Sequence, residues 1–125
     1  MTENELAKIV VDLCLKIHHA LGPGLLESVY EEVLCYELNK AGLKHTRQEK
    51  ILINYEGVSM RVGFRADVIV ENKLILELKS VTDMSAVYNK VLLTYLRLTN
   101  LKLGLLINFH ETLIKDGIKR MVNNL

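Results

Sequence analysis

Asp67, Glu77 and Lys79 are the residues whose types and spacing best suit chemistry. They fall in the stretch Gly63-Phe-Arg-Ala-Asp67-Val-Ile-Val-Glu-Asn-Lys-Leu-Ile-Leu-Glu77-Leu-Lys79, which alternates like two strands joined by a short turn. Side chains along a strand point to alternate faces, so Glu77 and Lys79 share one side while Leu74, Leu76 and Leu78 take the other. Charged groups set among Leu and Ile resist burial unless they are paired or bound to a metal. Two carboxylates and a lysine suit metal-assisted hydrolysis of a phosphodiester. Mg²⁺ takes oxygen ligands, often only one or two carboxylates, and keeps several waters. It polarises a phosphoryl oxygen and acidifies water, and Lys79 can orient that water or neutralise charge growing at phosphorus. The plainer alternative is a salt bridge between Lys79 and Asp67 or Glu77.

The shared site imposes a register. A two-residue turn at Asn72-Lys73 would set Asp67 across from Leu78, on the face away from Glu77. A three-residue loop, Glu71 to Lys73, or a bulge near Asp67 sets Asp67 across from Glu77. The chemistry requires the second arrangement, which is therefore the expectation.

The elements that must carry these residues are legible along the chain. Thr2 and Glu5 form a capping box, opening a helix with an apolar stripe of Leu6, Ile9, Val10, Leu13, Ile17 and Leu21. Gly22-Pro23-Gly24 ends it. A second helix is predicted over about Leu25 to Ala41, with Gly42 as its C-terminal cap. Strands follow over Lys44–Tyr55, Val58–Val70 and Leu74–Ser80, the first two joined by a Glu56-Gly57 turn. Thr82 and Asp83 can cap a third helix over about Met84–Leu98. Leu103–Phe109 is apolar enough for a central buried strand. Leu113–Lys115 and Ile118–Val122 suggest a closing hairpin across Asp116-Gly117. The order favours an α/β fold with a mixed sheet flanked by helices.

Length and composition fit one domain spanning 1-125: 125 residues, half of them apolar and a quarter charged. The net charge of +1 gives no general attraction for nucleic acid, so a local basic patch would have to supply it. Arg47, Arg61 and Arg65 alternate outward on neighbouring strands and can meet phosphate, or simply form a charged sheet face. Glu27 and Glu31, one helical turn apart, repel unless a cation or solvent lies between them. Cys14 and Cys35 lack ligand spacing and suit buried reduced thiols. His18, His19, His45 and His110 show no ligand pattern. The opening Met-Thr-Glu-Asn-Glu is unlike a signal peptide, and no apolar run approaches membrane length, so a cytoplasmic location is expected.

Several blocks together resemble a known family. Gly24-Leu-Leu-Glu27-Ser-Val-Tyr30 is similar to the motif of the GxxExxY proteins, a bacterial and archaeal group in the PD-(D/E)XK nuclease superfamily. Phe-Arg-Ala-Asp67, Glu77-Leu-Lys79, Tyr95-Leu96 and Lys102-Leu-Gly104-Leu-Leu-Ile-Asn-Phe109 match further blocks in order, over essentially the whole chain. The resemblance implies a restriction-endonuclease-like αβββαβ core from Leu25 to Phe109, with an extra N-terminal helix and a C-terminal hairpin. It implies a Mg²⁺ (or Mn²⁺) site at Asp67, Glu77 and Glu27, with Lys79 completing the catalytic set with Asp67 and Glu77. Tyr30 and Tyr95 would support the site. The implied partner is nucleic acid, DNA ahead of RNA, and a homodimer is compatible with so small a domain. One departure bears on activity. Related exonuclease-type members carry Gln four residues before the helix tyrosine, and here that position is Val91 before Tyr95. The alternative is therefore a catalytically weak or inactive member serving as a nucleic-acid or protein-binding module.

Overall fold

A computed structural model describes residues 1–125. Helix α1 spans Glu3–Leu21, its first turn closed by reciprocal bonds between Thr2 and Glu5. Leu6, Val10, Cys14 and Ile17 make its buried stripe. Helix α2, Glu27–Lys40, starts two residues later than its sequence suggests, because the chain after Gly22 is still turning. Tyr30, Leu34 and Leu38, four residues apart, are fully buried. Gly42, just past the helix, adopts the left-handed backbone that ends helices at low steric cost.

Strands β1 (His45–Tyr55), β2 (Val58–Val70), β3 (Leu74–Lys79), β4 (Leu103–Asn108) and β5 (Ile118–Val122) form one five-stranded sheet in chain order. Neighbours run antiparallel except β3 and β4, which are parallel and joined through helix α3, Ala86–Thr99. Ser85 caps α3, whereas the sequence pointed to Thr82 and Asp83. Leu113–Lys115 does not form a strand. Ile114–Gly117 is a 3₁₀ turn that swings the chain round so that β5 pairs back onto β4.

Two apolar layers hold the sheet. One face packs on α1 and α2 through Val68, Val70, Leu74, Leu76, Leu78, Leu103, Leu105 and Ile107. The other packs on α3, where Ile69, Ile75, Ala66 and Leu106 meet Leu92 and Leu96. Gly104 permits that second contact, because a Cβ there would lie 2.9 Å from a Leu92 methyl. Residues of β4 are buried without exception, as its nearly all-apolar run requires of a central strand. Strand β3 pairs with β2 only over Val68–Val70. Beyond that, β1 and β2 continue as a two-stranded ribbon with Leu52, Tyr55, Val58 and Val62 exposed.

Candidate active site

The site lies in the fork where β2 leaves β3. Val68 pairs with Leu76 and Val70 with Leu74, leaving a three-residue turn in which Glu71 and Asn72 both have left-handed backbones. This register carries Asp67 level with Glu77, the arrangement expected from the sequence. The backbone N–H of Leu78 points toward β2, where the ladder has ended, and Asp67 Oδ2 accepts it at 2.8 Å. The carboxylate thus takes over a hydrogen bond that the departing strand no longer offers.

Irregularity on β1 shapes the same spot. Arg47 pairs with Val68 and Glu49 with Ala66, so Gln48 sits across from Asp67. Gln48 has φ 51°, an uncommon left-handed conformation for a residue with a side chain. Strict alternation fails here. Ala66 and Val68, two residues apart, pack in opposite apolar layers. Asp67, at the point of rotation, lines an open cleft of about 490 Å³ with Glu27, Ser28, Glu31, Gln48 and Leu78.

Glu77 is buried, and its Oε1 has no hydrogen-bond partner. Burial first, then the negative charge of Asp67, pushes its carboxyl up to about 8. It borders a small cavity of about 60 Å³ with Lys79, Tyr88, Val91, Leu92, Tyr95 and Leu106. Lys79 forms none of the ion pairs in the structure, so the plain salt-bridge reading does not hold. Its ammonium instead lies 4.5 Å from the centre of the Tyr88 ring. Tyr95 stacks on Phe64 at 3.8 Å between ring centres, and burial with the charges of Glu77 and Asp67 raises its phenol.

Three expectations need amendment. Tyr30 does not face the carboxylates. It is buried against Phe109, ring centres 4.2 Å apart, and its hydroxyl donates to the Gly22 carbonyl and accepts the Leu25 N–H. It therefore supports Glu27 indirectly, by latching the turn that begins α2. Glu27 is exposed; it lines the cleft with Asp67, but no three His, Cys, Asp or Glu side chains are grouped to hold a metal. Arg47 does not reach outward for phosphate. Its guanidinium spans Glu31 (3.0 Å) and Glu32 (2.8 Å), because α2 brings both carboxylates over the start of β1. Arg61 and Arg65 are exposed on the ribbon.

Glu31 and Gln48 line the cleft beside Asp67, and Asn108 braces the chain after β3; none of the three was named from sequence as a candidate site residue. Glu31 resembled a solvated helix face but is buried. Nothing in the polar run His45–Lys50 distinguishes Gln48, whose role arises from the backbone irregularity. Asn108, fully buried, accepts the N–H groups of Val81 and His110 and donates to the Val81 carbonyl. It fixes the loop that follows Lys79.

The chain belongs to the PD-(D/E)XK nuclease superfamily, whose family model matches residues 4–121. The mixed five-stranded sheet flanked by helices is the restriction-endonuclease-like arrangement of that group. A crystal structure described as that of SSO0001 shares the fold, with a TM-score of 0.52 and 22% identity. The match covers 76% of this chain and 48% of that one, so this chain spans about half that protein's length. No curated protein matches it.

Proposed function

We propose that this protein is a Mg²⁺- or Mn²⁺-dependent nuclease-like domain that hydrolyses nucleic-acid phosphodiester bonds. One observation carries the reading: the buried carboxylate of Glu77, with an unpartnered oxygen, beside Asp67 and an unpaired Lys79. Two juxtaposed carboxylates, one of them unsatisfied, fit a hard divalent cation that keeps part of its water shell. Asp67 and Glu77 would hold the ion, while Glu27 only lines the cleft that Asp67 borders. When bound, the ion supplies charge neutralisation at the phosphate and a more acidic water.

Lys79 stabilises negative charge developing on phosphorus, and the Tyr88 ring keeps its ammonium near Glu77. Tyr95, stacked on Phe64, walls the site on the α3 side. Arg61 and Arg65 on the exposed ribbon offer phosphate contacts to a strand lying along it, with DNA ahead of RNA. A homodimer would present two such sites to a duplex. No helix is long and apolar enough to cross a membrane.

The competing reading is a binding module on the same fold. It draws support from Val91, which lines the Glu77 and Lys79 cavity without a hydrogen-bonding group. The test is incubation with single- and double-stranded DNA and RNA, with Mn²⁺ or with chelator, for wild type and Asp67→Ala. Mn²⁺-dependent cleavage by wild type, lost in the variant, is expected. The same substrate profile with Mn²⁺ and with chelator refutes the nuclease reading.

A further inference from the structure

Asp67 is held by both oxygens. Oδ2 accepts the Leu78 N–H, and Oδ1 accepts a hydrogen bond of 3.2 Å from the side-chain amide of Gln48. The same amide nitrogen donates to Glu31 Oε1 at 2.7 Å. Carboxylates only accept, so the NH₂ end of Gln48 must face both. Its two hydrogens are then used on two carboxylates. Glu31, in turn, is fixed from behind by Arg47, with contacts of 3.0 and 3.3 Å on Oε2. The result is a continuous chain, Arg47–Glu31–Gln48–Asp67, running from the helix α2 side of the cleft to the fork in the sheet.

Gln48 reaches this position only by adopting a left-handed backbone inside a strand. Residues held in such conformations persist where the surroundings over-determine them, and they cluster at functional sites. The chemistry of the side chain fits a specific task. An Arg or Lys in its place would orient Asp67 but also neutralise it, weakening its pull on a cation. A neutral amide orients the carboxylate and leaves its charge available.

We infer that Gln48 is a positioning residue, which aims Asp67 at the divalent cation through the bridge it makes to Glu31. The inference rests on the metal-site reading above and deepens it. Outer partners that orient a metal-ligating side chain are typically worth tenfold to a hundredfold in metal affinity.

The experiment is calorimetric titration of Mn²⁺ into wild type, Gln48→Asn, Gln48→Gly and Asp67→Ala, with melting curves of each in chelator. Asn keeps an amide and tolerates the left-handed backbone, but it is one methylene too short to span both carboxylates. Gly accepts the backbone freely and removes the amide, so it guards against a variant that fails to fold. Both Gln48 variants should bind Mn²⁺ about tenfold to a hundredfold more weakly, with melting temperatures close to wild type. Affinity unchanged in both, while Asp67→Ala abolishes binding, overturns the role of Gln48 and leaves the metal site standing. Weaker binding accompanied by a large fall in melting temperature in both variants also overturns it, since that is the mark of a structural residue. Wild type that binds no Mn²⁺, or binds it as Asp67→Ala does, overturns the metal site and this inference together.

Discussion

Replacing Glu77 by Gln should make the metal-free protein less sensitive to alkaline pH. The carboxyl of Glu77 is shifted from an ordinary 4.5 to about 8 by burial and by Asp67. Between those values the folded protein keeps a proton that the unfolded chain has released. The unfolded state then binds fewer protons, so stability falls as pH rises. At 1.36 kcal/mol for each pH unit of displacement, the full loss above about pH 8 is on the order of 5 kcal/mol. Below about pH 4.5 both states are protonated and the loss vanishes. Gln cannot ionise, so its variant lacks this component at every pH.

The amide is not free of cost, because it sits where Oε1 already lacks a partner, and an unsatisfied buried polar group costs about 1–3 kcal/mol. The variant should therefore fall below wild type near about pH 5, by up to roughly 2 kcal/mol. Near about pH 9 it should exceed wild type by roughly 2–4 kcal/mol, the difference between those two contributions. Urea unfolding of both proteins in chelator, across that pH range, measures the difference in slope, and groups that titrate alike in both cancel. Adding Mn²⁺ at the alkaline end should stabilise wild type and act far less on the variant. Identical pH slopes for the two proteins would refute the account of Glu77 as a carboxylate whose charge the empty fold cannot accommodate.

Two other outcomes test the surroundings of the site. Val91, 38% exposed and lining the Glu77 and Lys79 cavity, can be changed to Gln without burying an unpaired amide; Val91→Gln should raise cleavage about tenfold or more with unchanged Mn²⁺ affinity, and unchanged cleavage would exclude α3 from substrate positioning. Tyr30→Phe removes the hydroxyl that holds both Gly22 and Leu25. It should cost about 1–3 kcal/mol in urea unfolding and lower cleavage by loosening the turn before Glu27, whereas wild-type stability would show that the latch is not needed.

The elements of this fold were legible because each carries a pattern with one physical cause. The capping box at Thr2 and Glu5, the helical stripe from Leu6 to Ile17 and the apolar run of β4 all reappear where periodicity places them. Even the hairpin register followed: of the two arrangements that would set Asp67 across from Glu77, the three-residue loop from Glu71 to Lys73 is the one formed. Local signals failed where a contact between distant elements decides the outcome. Glu31 and Arg47 each look solvated in sequence, and only the packing of α2 over β1 pairs them. Tyr30 sits one helical turn from Glu27, and the resemblance implied that it would support the site. Three residues also carry a side chain toward a neighbouring face, and here Phe109 and the Gly22 carbonyl compete for it and win.

Strand alternation was the least transferable rule, and its failure is instructive. A regular strand would have sent Ala66 and Val68 into the same layer and Asp67 squarely to the other. The left-handed backbone of Gln48 accompanies a rotation between them. That rotation opens the fork, leaves the Leu78 N–H to a side chain and lets one carboxylate border the α2 cleft while its neighbour borders the α3 cavity. Period-two patterning describes strands that continue their ladder. The candidate site is built at the place where the ladder stops, so its geometry comes from the interruption rather than from the pattern.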